Sequence, residues 1–174
     1  MTQPIDFEFS RSFAVDRLRS VPVIETIEAT PDERRRLAER FGLAALDKLT
    51  AALTLHREAG GAIRVQGRLE ADVVQNCVVT LEPFPSHIED GFAADFIEAP
   101  IVASDEELAD PEYEPPEPVV NGAIDLGELT AQYLSLAIDP HPRAPGAALD
   151  PAWTAEKTAR TSPFEALKVL KPRT

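Results

Sequence analysis

In the middle of the chain, apolar side chains recur at every second position. Ile63, Val65, Leu69, Ala71 and Val73 share one parity, and Arg64, Gln66, Arg68, Glu70 and Asp72 share the other. This alternation predicts a strand with one face buried and one in water. Upstream, Leu49, Ala51, Leu53 and Leu55 alternate in the same way, with Gly60-Gly61 between the two runs as a hairpin signal. Downstream, Ile88, Phe92, Ala94 and Phe96 fall on one side, with Glu89, Gly91 and Asp95 on the other. Residues 46–97 therefore read as a three-stranded antiparallel meander. Its second connection holds Cys77 and is interrupted by Pro83 and Pro85, which cannot donate to a strand ladder.

The same period, in broken form, runs through Ile5, Phe7, Phe9, Phe13 and Val15, which predicts an N-terminal strand added to the sheet. Residues 21–27 predict another strand, placed near an edge by Pro22. Helical spacing then takes over. Thr30-Pro31-Asp32-Glu33 is a capping box, Leu37, Ala38 and Phe41 form the apolar stripe, and Gly42 supplies the stop. Asp125 opens a second helix through Leu126, Leu129, Tyr133, Leu134 and Ala137, ended by Pro140. Ser162-Pro163-Phe164-Glu165 opens a short third helix with Phe164, Leu167 and Leu170 on one side. The expected fold class is α+β: an antiparallel sheet, made of the meander and N-terminal strands, packed with a few short helices. A single domain over residues 1–174 is expected. Within it, residues 99–122 read as an acidic, proline-rich flexible loop pinned at most by Tyr113, and residues 139–161 as a proline-rich connection anchored by Trp153.

Composition narrows the class. A chain of 174 residues, 44% hydrophobic, can build one core. No apolar run approaches a membrane span, and the first residues lack a basic region followed by an apolar one, so neither a membrane nor a secretory route is expected. The lone Cys77 cannot form an internal disulfide, which suits the cytoplasm. The net charge of −13 is unevenly spread. Residues 69–142 hold seventeen acids and no lysine or arginine, whereas residues 143–174 hold six cations and three acids. An acidic middle repels nucleic acid, leaving Lys157, Arg160, Lys168, Lys171 and Arg173 in the tail and Arg34, Arg35, Arg36 and Arg40 on the first helix as candidate RNA contacts. Solvated helix faces with ordinary ion pairs are the competing explanation for both groups.

The wording around the cysteine carries a resemblance. Residues 67–75 before it, the loop Cys77-Val78-Val79-Thr80-Leu81-Glu82-Pro83 itself, and residues 87–96 after it are similar to the YceD family, the large ribosomal RNA subunit accumulation proteins. The stretches Ile124–Leu129, Leu136–Pro140 and Ser162–Lys171 agree in order and spacing. The resemblance implies a cytoplasmic, non-enzymatic factor for 23S rRNA accumulation and large-subunit assembly, with large-subunit rRNA or its precursor particle as partner. It also implies that many relatives carry a second cysteine at the Thr80 position and a further pair downstream, suggestive of a structural metal. Here Thr80 and the cysteine-free residues 139–151 depart from that pattern, so no cofactor or metal is expected. Cys77 is expected to be a small buried side chain, in a loop closed by packing of Leu81 and Phe84.

No Walker loop, nucleophile elbow, zinc-protease helix or dinucleotide fingerprint is present. Two other readings stay open. An acidic module of this kind would bind a basic ribosomal protein in the manner of a chaperone and reach RNA indirectly. A hydrolase would use His56 or His87 with nearby carboxylates.

Overall fold

The structure is a computed structural model that describes residues 7–98 and 115–149. In chain order these residues form β1 (Ser12–Ala14), a single 3-10 turn (Val15–Arg17), β2 (Val23–Glu28), α1 (Pro31–Phe41), β3 (Ala45–Arg57), β4 (Ile63–Asn76), β5 (Pro83–Ile97), β6 (Glu117–Pro118), β7 (Ala123–Asp125) and α2 (Leu126–Ala137). The fold is α+β, as the alternation and the two capped helices predict.

β3, β4 and β5 are the meander. They form the centre of a five-stranded sheet ordered β2-β3-β4-β5-β6, antiparallel except for the short β5-β6 pair. Ile63, Val65, Leu69, Ala71 and Val73 are all buried, together with Leu49, Leu53 and Leu55 of β3 and Phe92 and Phe96 of β5. Leu46 is buried too, although its parity is opposite to that of Leu49. The pairing accounts for this: Leu46 faces Val73 and Lys48 faces Asp72, so Asp47 is an extra, bulged residue that returns both leucines to the core side.

α2 packs on this inner face. Phe92 lies directly opposite Gly67, and a Cβ at Gly67 would stand 2.2 Å from the Phe92 ring. The absent side chain lets the ring lie flat over β4. The other side of that ring stacks on Tyr133 of α2, with centroids 4.3 Å apart and planes 12° from parallel. The Tyr133 hydroxyl then donates to the Ala93 carbonyl at 2.8 Å, so both ends of the tyrosine are used.

The N-terminal pattern folds differently from its expectation. Phe9 is fully buried, yet residues 7–11 form no strand, and β1 pairs with β7 in a separate two-stranded sheet rather than joining the main one. Ile5 lies outside the described residues. The start of α2 satisfies the backbone of this segment instead. The Asp125 carboxylate accepts from the Ser10 hydroxyl, from Arg11 N–H at 2.8 Å, and from the N–H groups of Gly127 and Glu128 at 3.0 and 3.1 Å, while Leu126 N–H donates to the Arg11 carbonyl at 3.0 Å. One carboxylate thus caps a helix and holds the incoming chain. Gly127 allows the approach, because a Cβ there would lie 2.5 Å from the Phe9 carbonyl oxygen.

α1 is built as its capping box predicts. Glu33 N–H donates to Thr30 Oγ1 at 3.4 Å, Thr30 N–H donates to Glu33 Oε2 at 2.7 Å, and Gly42 ends the helix at φ 66°. Tyr113, Trp153 and the third predicted helix lie outside the described residues. Of the 99–122 segment, residues 115–122 are described, and β6 with the Val119 N–H bond to the Ile97 carbonyl ties them to the end of β5.

Candidate functional site

The Cys77 loop closes the β4–β5 hairpin through its own backbone. Cys77 N–H donates to the Glu82 carbonyl at 2.9 Å, and Leu81 N–H donates to the Cys77 carbonyl at 2.8 Å. Val78 N–H reaches the carbonyl of Pro142 at 2.9 Å, so the loop also rests on the segment that follows α2. Gln75 adds a side-chain bond to the Asp139 carbonyl nearby, at 3.0 Å. The expectation that Leu81 packs inward is wrong: Leu81 is 78% exposed and takes φ 61°. Its left-handed backbone completes the turn, and the side chain is left in solvent. Phe84 is half-buried.

Cys77 itself is buried, as expected. Its sulfur faces donors: the N–H groups of Val79 and Thr80 lie 3.4 and 3.5 Å from Sγ. The Thr80 hydroxyl, followed by the Ala144 N–H, favours the thiolate and brings the thiol down to about 7 from its ordinary 9.0. One thiol surrounded by a hydroxyl and amides is a poor ligand set for a structural metal, which needs about four nitrogen, sulfur or carboxylate ligands. Among the described residues no group of three or more His, Cys, Asp or Glu side chains is placed to hold a metal ion.

The four arginines of α1 have separate surroundings. Arg40 makes a two-point contact with Glu128 of α2, both at 2.8 Å, and a third bond to Glu8 at 3.0 Å. The Glu128 side chain is only 8% exposed, and its hydrogen bonds raise the Arg40 pKa, keeping the guanidinium charged. Arg35 pairs along its own helix with Asp32 and Glu39. Arg34 donates to the Ala29 carbonyl at 2.8 Å. Arg36 forms no ion pair with a described residue. The tail cations Lys157, Arg160, Lys168, Lys171 and Arg173 lie outside the described residues.

A structural role missed by the sequence reading falls to Arg11. Its guanidinium holds both oxygens of Glu33, at 2.7 and 2.9 Å, and the Glu28 carbonyl at 2.8 Å. This joins the N-terminal segment to β2 and to the cap of α1. The glutamate of a capping box is visible in sequence, but its second partner, 22 residues away, is not.

The histidines are dispersed. His87 stands on the open face of the sheet, opposite Asp72, with Nδ1 2.6 Å from that carboxylate and Nε2 3.4 Å from Glu89. Asp72 first, then Glu89, raises its pKa. Ser86, the neighbouring hydroxyl, belongs to the opposite parity and faces Val73. His56 lies beside Glu58 on the same open face, and His141 follows α2.

These features define a small acidic α+β domain with one backbone-closed cysteine loop and a sheet face that no other described helix or strand covers. Residues 65–171 match the family described as large ribosomal RNA subunit accumulation protein YceD, and the chain belongs to that family. The match starts within β4, so β1, β2, β3 and α1 precede it. No curated protein and no solved structure matches the chain. No described helix is long and apolar enough to cross a membrane.

Proposed function

We propose that this protein is a non-enzymatic factor in 23S rRNA accumulation, acting in the cytoplasm during assembly of the large ribosomal subunit. The family match across β4, β5, α2 and the tail is the observation that supports this reading. Direct contact with RNA falls to the tail cations Lys157, Arg160, Lys168, Lys171 and Arg173, assisted by Arg34 and Arg36. If these residues carry the binding, replacing the five tail cations with glutamine abolishes co-sedimentation with precursor large subunits and leaves the melting temperature of the domain unchanged.

A second reading is favoured by the ion pairs. Eight of the twelve described lysines and arginines already face carboxylates, including Arg11, Arg40, Arg64 and Lys48, which leaves little unneutralised charge for phosphate. In this version the acidic body holds a basic ribosomal protein. Salt separates the two. Direct binding to purified 23S rRNA weakens steeply as salt rises, whereas a protein-mediated contact gives no binding to bare rRNA at any salt.

A further inference from the structure

β2 is an edge strand whose outward side can be assigned residue by residue. Ala29 N–H donates to the Leu49 carbonyl at 3.0 Å, which puts the odd-numbered residues of β2 in the hydrogen-bonded pairs with β3. The Glu28 carbonyl, one residue earlier, receives Arg11 instead. The backbone N–H and C=O groups of Ile24 and Thr26 therefore point away from β3, and no other described strand meets them. A groove of about 460 Å³ runs along this side, lined by Ser12, Arg17, Glu25, Thr26 and Glu28 among others.

Sheet edges are normally protected by lysine, proline or a bulge. β2 contains none of these between Val23 and Glu28, and it presents Ile24 at 74% exposure, with Val21 just before it at 71%. Its charge is of one sign. Residues 20–33 include Glu25, Glu28, Asp32 and Glu33 and no lysine or arginine. Arg17 and Arg11, which approach from outside the strand, are bound to Glu25 and Glu33. Glu28 is exposed and makes no close ion pair with a described cation, and Lys48, whose charge it feels across the sheet, is held by Glu70. A second copy of this chain would set two acidic edges side by side, each on a body of charge −13.

We propose that β2 is a docking edge that accepts an extended, lysine- or arginine-bearing segment of a partner protein as an additional strand. The backbone of Ile24 and Thr26 supplies the ladder, Ile24 supplies apolar contact, and Glu28 selects for cations on the incoming strand. The proposal rests on the protein-contact reading above and assigns its surface.

The test uses the full chain and an array of overlapping peptides covering the lysine- and arginine-rich segments of the large-subunit proteins from the same organism. A subset of peptides is expected to bind, and Thr26→Pro is expected to weaken them about tenfold or more, because it removes an outward N–H while leaving every β2–β3 bond in place. Glu28→Lys gives a similar loss, and it serves as the decisive variant if circular dichroism finds Thr26→Pro unfolded. N-methylating alternate amides of a bound peptide abolishes its binding. Retention of binding by the N-methylated peptide, or by Glu28→Lys, overturns the β2 assignment and leaves the protein-contact reading standing on another surface. An array in which no peptide binds overturns both. A dimer in sedimentation analysis that Thr26→Pro dissolves assigns the edge to a second copy and overturns the basic partner.

Discussion

Two groups of ion pairs use the same chemistry in different surroundings. At the seam where the N-terminal segment, α1 and α2 meet, Arg11–Glu33 and Arg40–Glu128 are 2.7 and 2.8 Å long. On the open face of the sheet, Lys48–Glu70, Arg64–Asp95 and Arg68–Glu89 are 2.6, 2.7 and 2.7 Å. Length does not distinguish them. The carboxylates at the seam are 8% and 14% exposed, while those on the face are 36% to 50% exposed. Each seam pair joins segments that no strand ladder connects, and each face pair joins neighbouring strands already held by a ladder. Water competes for the second group, so those pairs contribute little to stability, whereas breaking a seam pair strands a buried charge.

The largest effect is expected at the seam backbone. Gly127→Ala drives a methyl group into the Phe9 carbonyl and is expected to cost about 3 kcal/mol in chemical denaturation, since backbone must move on one side or the other. Arg40→Met leaves Glu128 without its main partner and is expected to cost about 2 kcal/mol. Adding Glu128→Leu should recover most of that loss, and a double variant no more stable than Arg40→Met would mean that the pair is not the source.

Acid separates the regions next. Hydrogen bonds from Arg11, then from Thr30, lower Glu33 to about 2 from its ordinary 4.5. A depressed carboxylate stabilises the fold above its unfolded pKa, so this contribution is present above pH 4.5 and disappears as the pH falls toward 2. Glu33→Gln is expected to flatten the stability curve across that window.

The smallest effect belongs to the open face. His87 is raised above 6.5 by Asp72, so its contribution is complete below pH 6.5 and is lost as pH rises through the folded value. Nuclear magnetic resonance should place its midpoint above 6.5, and Asp72→Asn should return it toward 6.5 with scarcely any change in melting temperature. A large change in melting temperature would erase the distinction between seam and face.

The meander was legible because a half-buried strand repeats every two residues, and β3, β4 and β5, thirteen to fifteen residues long, each keep that repeat over several residues. The α1 cap was legible because both members of its box lie within one turn. Asp125 was read as a cap, but its grip on Ser10 and Arg11 was not, since those partners are more than a hundred residues away. The alternation of Phe7 and Phe9 misled because burial can be supplied by a helix start as well as by a sheet. Leu81 misled because its inward packing was inferred from hydrophobicity, whereas a turn with positive φ decides where a side chain points. The arginines of α1 read as one basic face, yet Arg40 and Arg35 are held by carboxylates and Arg34 by a carbonyl.

The sequence by itself determined the strand faces, the helix starts and the family-like cysteine loop, because period, capping and turn chemistry act within a few residues. Tertiary structure alone decided that Asp47 bulges, that β1 pairs with β7, that Arg11 and Arg40 clamp the seam, and that β2 turns the backbone of Ile24 and Thr26 outward. Each of these depends on which distant segment arrives to satisfy a backbone group or a charge, and no local pattern encodes the partner.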